Sequence, residues 1–296
     1  MKRGLVLSGG AALGAYQAGV LLALREAGLE FDVISATSIG TINALAWNVP
    51  EIIAQLDEVW LDNVRQLKPF DARRLLRGRN PFQFHTALDG LTDRYRAIYP
   101  FDNQRAEVLV TVTDHQQHQV RVVSTCDESL SQQERELFLK ASTTILHIGS
   151  KPVEIQGRKY YDGGYLRNVP LDPLLERELD EIWIVPLTAV RASDNANNSR
   201  QAGGNLALAK KALPFAYTHS LFSLAEQMLS PPNMRRGTAR KFVISPHQNS
   251  RSRNLGLGQA LLFSAANVRQ LLDCGFEDGA DTVEDYLCDR TYRVAI

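Results

Sequence analysis

The sequence has few cysteines, no long apolar run and no excess of charge of either sign. Three cysteines, Cys126, Cys274 and Cys288, occur in 296 residues. They are scattered and odd in number, a poor disulfide framework that points to a reducing compartment. Their spacing fits no metal-ligand pattern. No stretch approaches the roughly 18 apolar residues that a membrane-spanning helix needs. The apolar run near Met1 breaks at Gly9-Gly10, too early for the core of a signal peptide. The 33 basic and 33 acidic residues balance, so no overall field argues for nucleic acid. These absences lead to the expectation of a cytoplasmic protein that at most touches a membrane from outside.

What the chain does have is enough length to bury a large core, with 44% apolar residues. Leu5 to Ser8 reads as a short buried strand. Ala15 to Ala27 has helical composition, and Gly28 stands where a helix stop is needed. Asp32 to Ala36 is a second strand, and Ile39 to Trp47 a helix after a turn at Thr37-Ser38. Such alternation is the pattern of a parallel sheet with helices on its faces. Further helices are predicted at Glu51 to Val64, Gln132 to Ser142, Leu206 to Leu229, Ala265 to Leu272 and near Thr282 to Leu287. Strands are predicted at Glu107 to Thr113, Gln119 to Ser124, Glu181 to Leu187 and Lys241 to Ile244, with a hairpin turning at Gly157. Arg65 to Pro100 is loosely patterned and Ala192 to Asn205 reads as a polar loop; both are candidates for a lid. No repeat or linker divides the chain. The expectation is one domain over residues 1–296, a three-layer α/β/α fold around a mainly parallel sheet.

Three motifs carry chemistry. In DVISATSIGTINAL, a serine sits at a sharp strand-to-helix turn, with Ala36 and Gly40 supplying the small residues that such a turn needs around Ser38. The plain alternative is that Ser38 caps the helix. In SGGAALGAYQAGVL, adjacent glycines open a loop whose N–H groups can converge on one spot. A dinucleotide fingerprint would need a glycine where Ala11 stands and an acidic residue closing the second strand, and neither is present. An oxyanion hole made by Gly9, Gly10 and Ala11 fits better. In YYDGGYLRNVPL, Asp162 precedes two glycines that permit a tight turn and present its carboxylate outward, although Asp-Gly is also a common plain turn.

Together the three motifs, in this order and spacing, resemble the patatin-like phospholipase family. The resemblance covers about residues 4–190, and 191–296 would add elements of the same domain. It implies a lipid acyl hydrolase with a Ser–Asp dyad and no catalytic histidine. Carried onto this sequence, Ser38 is the nucleophile and Asp162 its base, with no metal or cofactor. Partial desolvation would be needed to raise the basicity of Asp162. The chain departs from the family pattern at Ala11, Leu13, Ala36 and Leu146, where glycine, a basic residue, glycine and proline are usual.

Two rival readings stay open. One is a Ser-His-Asp esterase using His247, which follows the strand KFVIS. The other is a degenerate member that binds lipid or acyl chains without cleaving them. His85, His115, His118, His147 and His219 have no metal-site spacing. Basic runs with apolar neighbours (Arg65, Lys68, Arg73, Arg74, Arg77 and Arg79, then Arg235, Arg236, Arg240, Lys241, Arg251 and Arg253) suggest peripheral contact with an anionic membrane surface. The acidic end of the chain, including Glu277, Asp278 and Asp281, balances them. Substrate headgroup and oligomeric state are not legible.

Overall fold

The structure, a computed structural model, describes residues 1–66, 104–145, 151–187, 238–246 and 263–294. Strand β1 (Arg3–Leu7) leads through a 3-10 turn (Ala11–Leu13) into helix α1 (Gly14–Glu26). Gly28 ends the helix as expected, at φ 68°. Its N–H donates to the Arg25 carbonyl at 2.9 Å and that of Leu29 to Leu24 at 3.1 Å, the paired bonds of a Schellman stop. Strand β2 (Val33–Thr37) and helix α2 (Ile39–Trp47) follow. The single helix expected from Glu51 is two pieces, α3 (Pro50–Ile53) and α4 (Leu56–Gln66).

After the undescribed stretch come β3 (Glu107–Asp114), β4 (Gln119–Ser124) and helix α5 (Gln132–Ser142). Helix α5 begins with a reciprocal capping box between Ser131 and Glu134. Strands β5 (Val153–Ile155) and β6 (Arg158–Asp162) form the hairpin around Gly157. Gln156 and Gly157 both take positive φ, as a two-residue type I′ turn requires. A short helix α6 (Asp172–Leu175), strands β7 (Glu181–Val185) and β8 (Arg240–Val243), and a long helix α7 (Ala265–Val294) complete the described chain.

The α/β fold agrees with expectation, but the sheet is mixed. Strands β3, β2, β1, β7 and β8 run parallel in that order. Strands β4 and β6 pair antiparallel with β3, and β5 with β6. Side chains alternate across the sheet. Leu5, Leu7, Ile34, Ala36, Val110 and Val185 join the large core with helices α1, α2, α4 and α7. Val6, Val33, Leu109, Ile182 and Ile184 face the smaller cluster beneath Leu171 and Leu174. Among the described residues, the second helical layer is thus represented by α6 and its flanking turns.

Helix α7 corrects the expectation of two short helices: Gly275 and Gly279 do not interrupt it. A Cβ on Gly275 would lie 2.0 Å from the Tyr16 carbonyl oxygen, and one on Gly19 would lie 2.1 Å from that of Leu272. Close contact between α1 and α7 therefore uses those glycines as packing surface. The Tyr16 hydroxyl donates to Asp278 at 2.6 Å, with both residues fully buried. Asp278 therefore belongs to the core and not to an acidic surface, and burial beside that carboxylate lifts the Tyr16 phenol well above its ordinary pKa.

None of the three cysteines forms a disulfide. Among the described residues no helix is long and apolar enough to cross a membrane. His247, His85, His147, His219, the Ala192–Asn205 loop, the Leu206–Leu229 helix and most of both basic runs lie outside the described residues.

Candidate functional site

Strand β3 is the reason two distant pieces of chain meet. Strand β4 fills one edge of β3 over Leu109–Asp114. A strand has only two edges, so β2 and β6 share the other. Strand β2 runs parallel to β3 and ends with Thr37 opposite Thr111. Strand β6 runs antiparallel and ends with Asp162 opposite Val112, the next residue. The carboxyl ends of β2 and β6 therefore point at each other, and Ser38 arrives beside Asp162.

The turn at Ser38 is strained. Its backbone sits at φ 56°, ψ −126°, a region sparsely used by residues with a side chain. The Ser38 side chain makes no capping hydrogen bond to helix α2, so the plain N-cap reading does not describe it. Gly40 is required by close approach: a Cβ there would lie 2.4 Å from the Leu7 carbonyl oxygen. The main-chain N–H of Ser38 donates to Ser142 Oγ at 3.1 Å.

The expectation of an outward carboxylate is corrected, because Asp162 is fully buried. Its turn also works differently. Neither Gly163 nor Gly164 adopts positive φ; Gly163 is needed because a Cβ would lie 2.5 Å from the Thr111 carbonyl oxygen. The Gly164 N–H donates to Asp162 Oδ1 at 2.7 Å. Burial drives the Asp162 pKa up to about 7, against the lowering effects of the Ser38 hydroxyl and the Gly164 N–H. Oδ2 has no partner within strict hydrogen-bond geometry. The Ser38 hydroxyl is thus a close neighbour of the carboxylate in a loose contact, not a fully formed bond.

The glycine loop lies against the same point. A Cβ on Gly9 would be 3.0 Å from Ser38 Cβ and 2.6 Å from Asn168 Oδ1. Of the three candidate donors, the Gly9 N–H is already engaged, donating to the Asn168 carbonyl at 3.3 Å. The candidate donors narrow to Gly10 and Ala11, whose N–H groups have no main-chain partner among the described residues. Ala11 adopts φ 51°, the conformation for which glycine is the usual residue. Leu13, where the family pattern has a basic residue, is buried in the core.

Several supporting residues were not singled out by sequence reasoning. Asn168 Nδ2 donates to the Gly9 carbonyl at 3.2 Å, and Thr37 Oγ1 to the Arg167 carbonyl at 3.1 Å, tying loop, elbow and aspartate turn together. Behind the loop, Gln17 Nε2 donates to the carbonyls of Ser8 (2.9 Å) and Val185 (3.0 Å). Asn43 Nδ2 donates to Gln17 Oε1 at 3.1 Å, and Trp60 Nε1 to Asn43 Oδ1 at 3.1 Å. This chain of amides joins α1 to α2. Its signal was a glutamine and an asparagine embedded in otherwise apolar helices, GAYQAGVLLAL and IGTINALAW. His115 and His118 are exposed near the β3–β4 turn. No group of metal-ligating side chains occurs among the described residues.

Residues 5–175 match the family described as Patatin-like phospholipase. Lysophospholipase nte1 of Aspergillus niger is 26% identical over 196 residues, covering 63% of this chain and 12% of that protein. The Aspergillus terreus protein of the same name is 58% identical over 40 residues, 14% of this chain and 3% of that protein. The chain thus spans a small part of the curated relatives it matches. Among solved structures, VipD from Legionella pneumophila aligns at 17% identity and a TM-score of 0.42, covering 92% of this chain and 67% of that one. Human GIVD cytosolic phospholipase A2, solved with a fluorophosphonate inhibitor, aligns at 14% identity and a TM-score of 0.42, covering 97% of this chain and 58% of that one.

Proposed function

This chain belongs to the patatin-like phospholipase family, and from that premise we propose that it hydrolyses acyl esters of lipids through Ser38 and Asp162. The observation that carries the reading is a buried carboxylate lifted to about 7, beside a serine on a strained elbow. An ordinary carboxylate near 3.9 is too weak a base for a hydroxyl. One poised near the working pH combines an ionised fraction with a useful affinity for the proton.

Ionised Asp162 takes the Ser38 proton as Oγ attacks the ester carbonyl carbon. The carbonyl oxygen becomes an anion facing the N–H groups of Gly10 and Ala11. Collapse of the tetrahedral intermediate breaks the ester C–O bond, and the proton on Asp162 passes to the departing alcohol. Asp162 then takes a proton from water as that water attacks the acyl-serine, and returns it to Ser38 Oγ when the fatty acid leaves.

Fluorophosphonate labelling and a series of chromogenic esters of rising chain length test this. Wild-type protein is expected to label, and Ser38→Ala to lose both labelling and turnover by three orders of magnitude or more. Turnover retained in Asp162→Asn removes that residue from the mechanism. A second reading, an acyl-binding protein without turnover, draws on the φ of Ala11 and the buried Leu13; wild-type protein that never labels would favour it.

A further inference from the structure

We infer that the turn Ser142–Thr144, where helix α5 ends, is a positioning element that sets the separation of Ser38 and Asp162, with Ser142 as its decisive side chain. The inference rests on the dyad proposed above. Ser142 is fully buried. Its Oγ accepts the Ser38 N–H at 3.1 Å and donates to the Thr111 carbonyl at 2.9 Å. A third contact, 3.0 Å, joins it to Thr41 Oγ1. A serine hydroxyl has one proton and two lone pairs. With the proton given to Thr111, Thr41 must donate, and the capacity of Ser142 Oγ is full. One side chain thereby holds the elbow residue, the first turn of α2 and the β3 residue opposite the end of β2.

Two residues later, the Thr144 carbonyl accepts the Asp162 N–H at 3.0 Å. The same short turn therefore grips the main chain of both reacting residues. It is itself fastened, since the hydroxyls of Thr143 and Thr144 donate back to the Lys140 carbonyl at 3.0 and 2.8 Å. From the sheet side, Thr113 Oγ1 donates to the Asp162 carbonyl at 3.0 Å. A backbone in the sparsely populated region that Ser38 occupies persists only when its surroundings over-determine it. The Ser142 bond is made to the N–H of that very residue. Without it, the elbow is free to relax and carry Oγ away from the carboxylate.

The test uses Ser142→Ala in the full-length protein, with kcat, KM and the fluorophosphonate inactivation rate expressed per titrated active site. Misplacing a reacting group by an ångström costs on the order of a hundredfold, so a fall of roughly 10- to 100-fold in kcat and inactivation rate is expected. KM should change little. The acid limb of kcat/KM should also move to higher pH, because the Ser38 contact that lowers the Asp162 pKa is loosened. A residue that merely supports the fold would reduce the fraction of titratable sites and leave the rate per site unaltered; that result overturns the inference. If Ser142→Ala does not fold, Ser142→Cys carries the test, because a thiol is the weaker acceptor. A several-fold loss per site is expected of it, and wild-type rates would overturn the proposal. Ser38→Ala separates the two levels. Labelling retained in Ser38→Ala defeats the dyad and the brace together. A dead Ser38→Ala beside an unaltered Ser142→Ala defeats the brace alone.

Discussion

Asp162 shows how one side chain links stability to chemistry. Unfolded, it ionises near 3.9; folded, it does so at about 7 because it is buried. The native chain therefore keeps this proton from about pH 4 to 7. The stabilisation from holding it is complete below the unfolded value and is lost as pH rises through the folded one. Three units correspond to at most about 4 kcal/mol. Asp162→Asn should accordingly raise Tm at pH 8, with the gain vanishing towards pH 4, as thermal melts at the two pH values would show. The wild-type acid limb of kcat/KM should fall near pH 7, and a limb near 4 would mean that the carboxylate is solvated. At Ala11 two effects oppose each other. Relief of a positive-φ alanine is worth about 1–2 kcal/mol, and the added freedom of an unfolded glycine costs about 0.4–1 kcal/mol. Ala11→Gly should therefore leave stability unchanged or raise it by up to about 1.6 kcal/mol in a denaturant titration. At this scale Ser38, Asp162 and the glycine loop were legible, because each stands in a compact motif. The engagement of the Gly9 N–H was not, since its acceptor is the carbonyl of Asn168, far along the chain.

Among the elements, those with local causes could be read and those set by distant packing could not. Helix α5, the hairpin at Gly157 and the stop at Gly28 each carry their own signals: a capping box, a positive-φ pair and a glycine at the right place. The continuity of α7 depends on α1. Glycine normally weakens a helix, which suggests a break near Gly275; packing against Tyr16 reverses that rule. An alanine in an exposed helix position usually stabilises by about 1 kcal/mol over glycine. Gly275→Ala should instead destabilise, by about 2 kcal/mol or more, because its methyl would meet backbone at a distance that forces the helices apart. Chemical denaturation would decide the sign. The antiparallel hairpin at Gly157 was legible in a sheet expected to be mainly parallel, but the pairing of that hairpin with β3 was not. The short connection from Asp114 to Gln119 forces β4 to return antiparallel, whereas the alternation within β6 is the same whichever direction it pairs, and only its place on the edge of β3 settles it.

At the scale of the whole molecule, the helical layer formed by α1 and α7 closes over the sheet and brings residues from opposite ends of the sequence into one core. Val20, Leu21 and Leu24 on α1, and Val268 and Leu271 on α7, are fully buried. Each such side chain contributes roughly 1.5–3 kcal/mol, and total stability is only about 5–15 kcal/mol. Removing residues 265–296 should therefore abolish the cooperative melt, and a truncated chain that still unfolded in a sharp transition would show α7 to be dispensable. The alternation of strands and helices in the sequence was enough for the α/β class, while the joining of its two ends required long-range contacts that no local pattern encodes. The head-on meeting of β2 and β6 along β3 has an evolutionary consequence. The gap between hydroxyl and carboxylate is measured by peptide units, so substitutions across the sheet can accumulate without altering it. A single residue inserted between Thr111 and Val112 would lengthen that ruler by about 3.3 Å. Drift in composition is thus tolerated where drift in length is not.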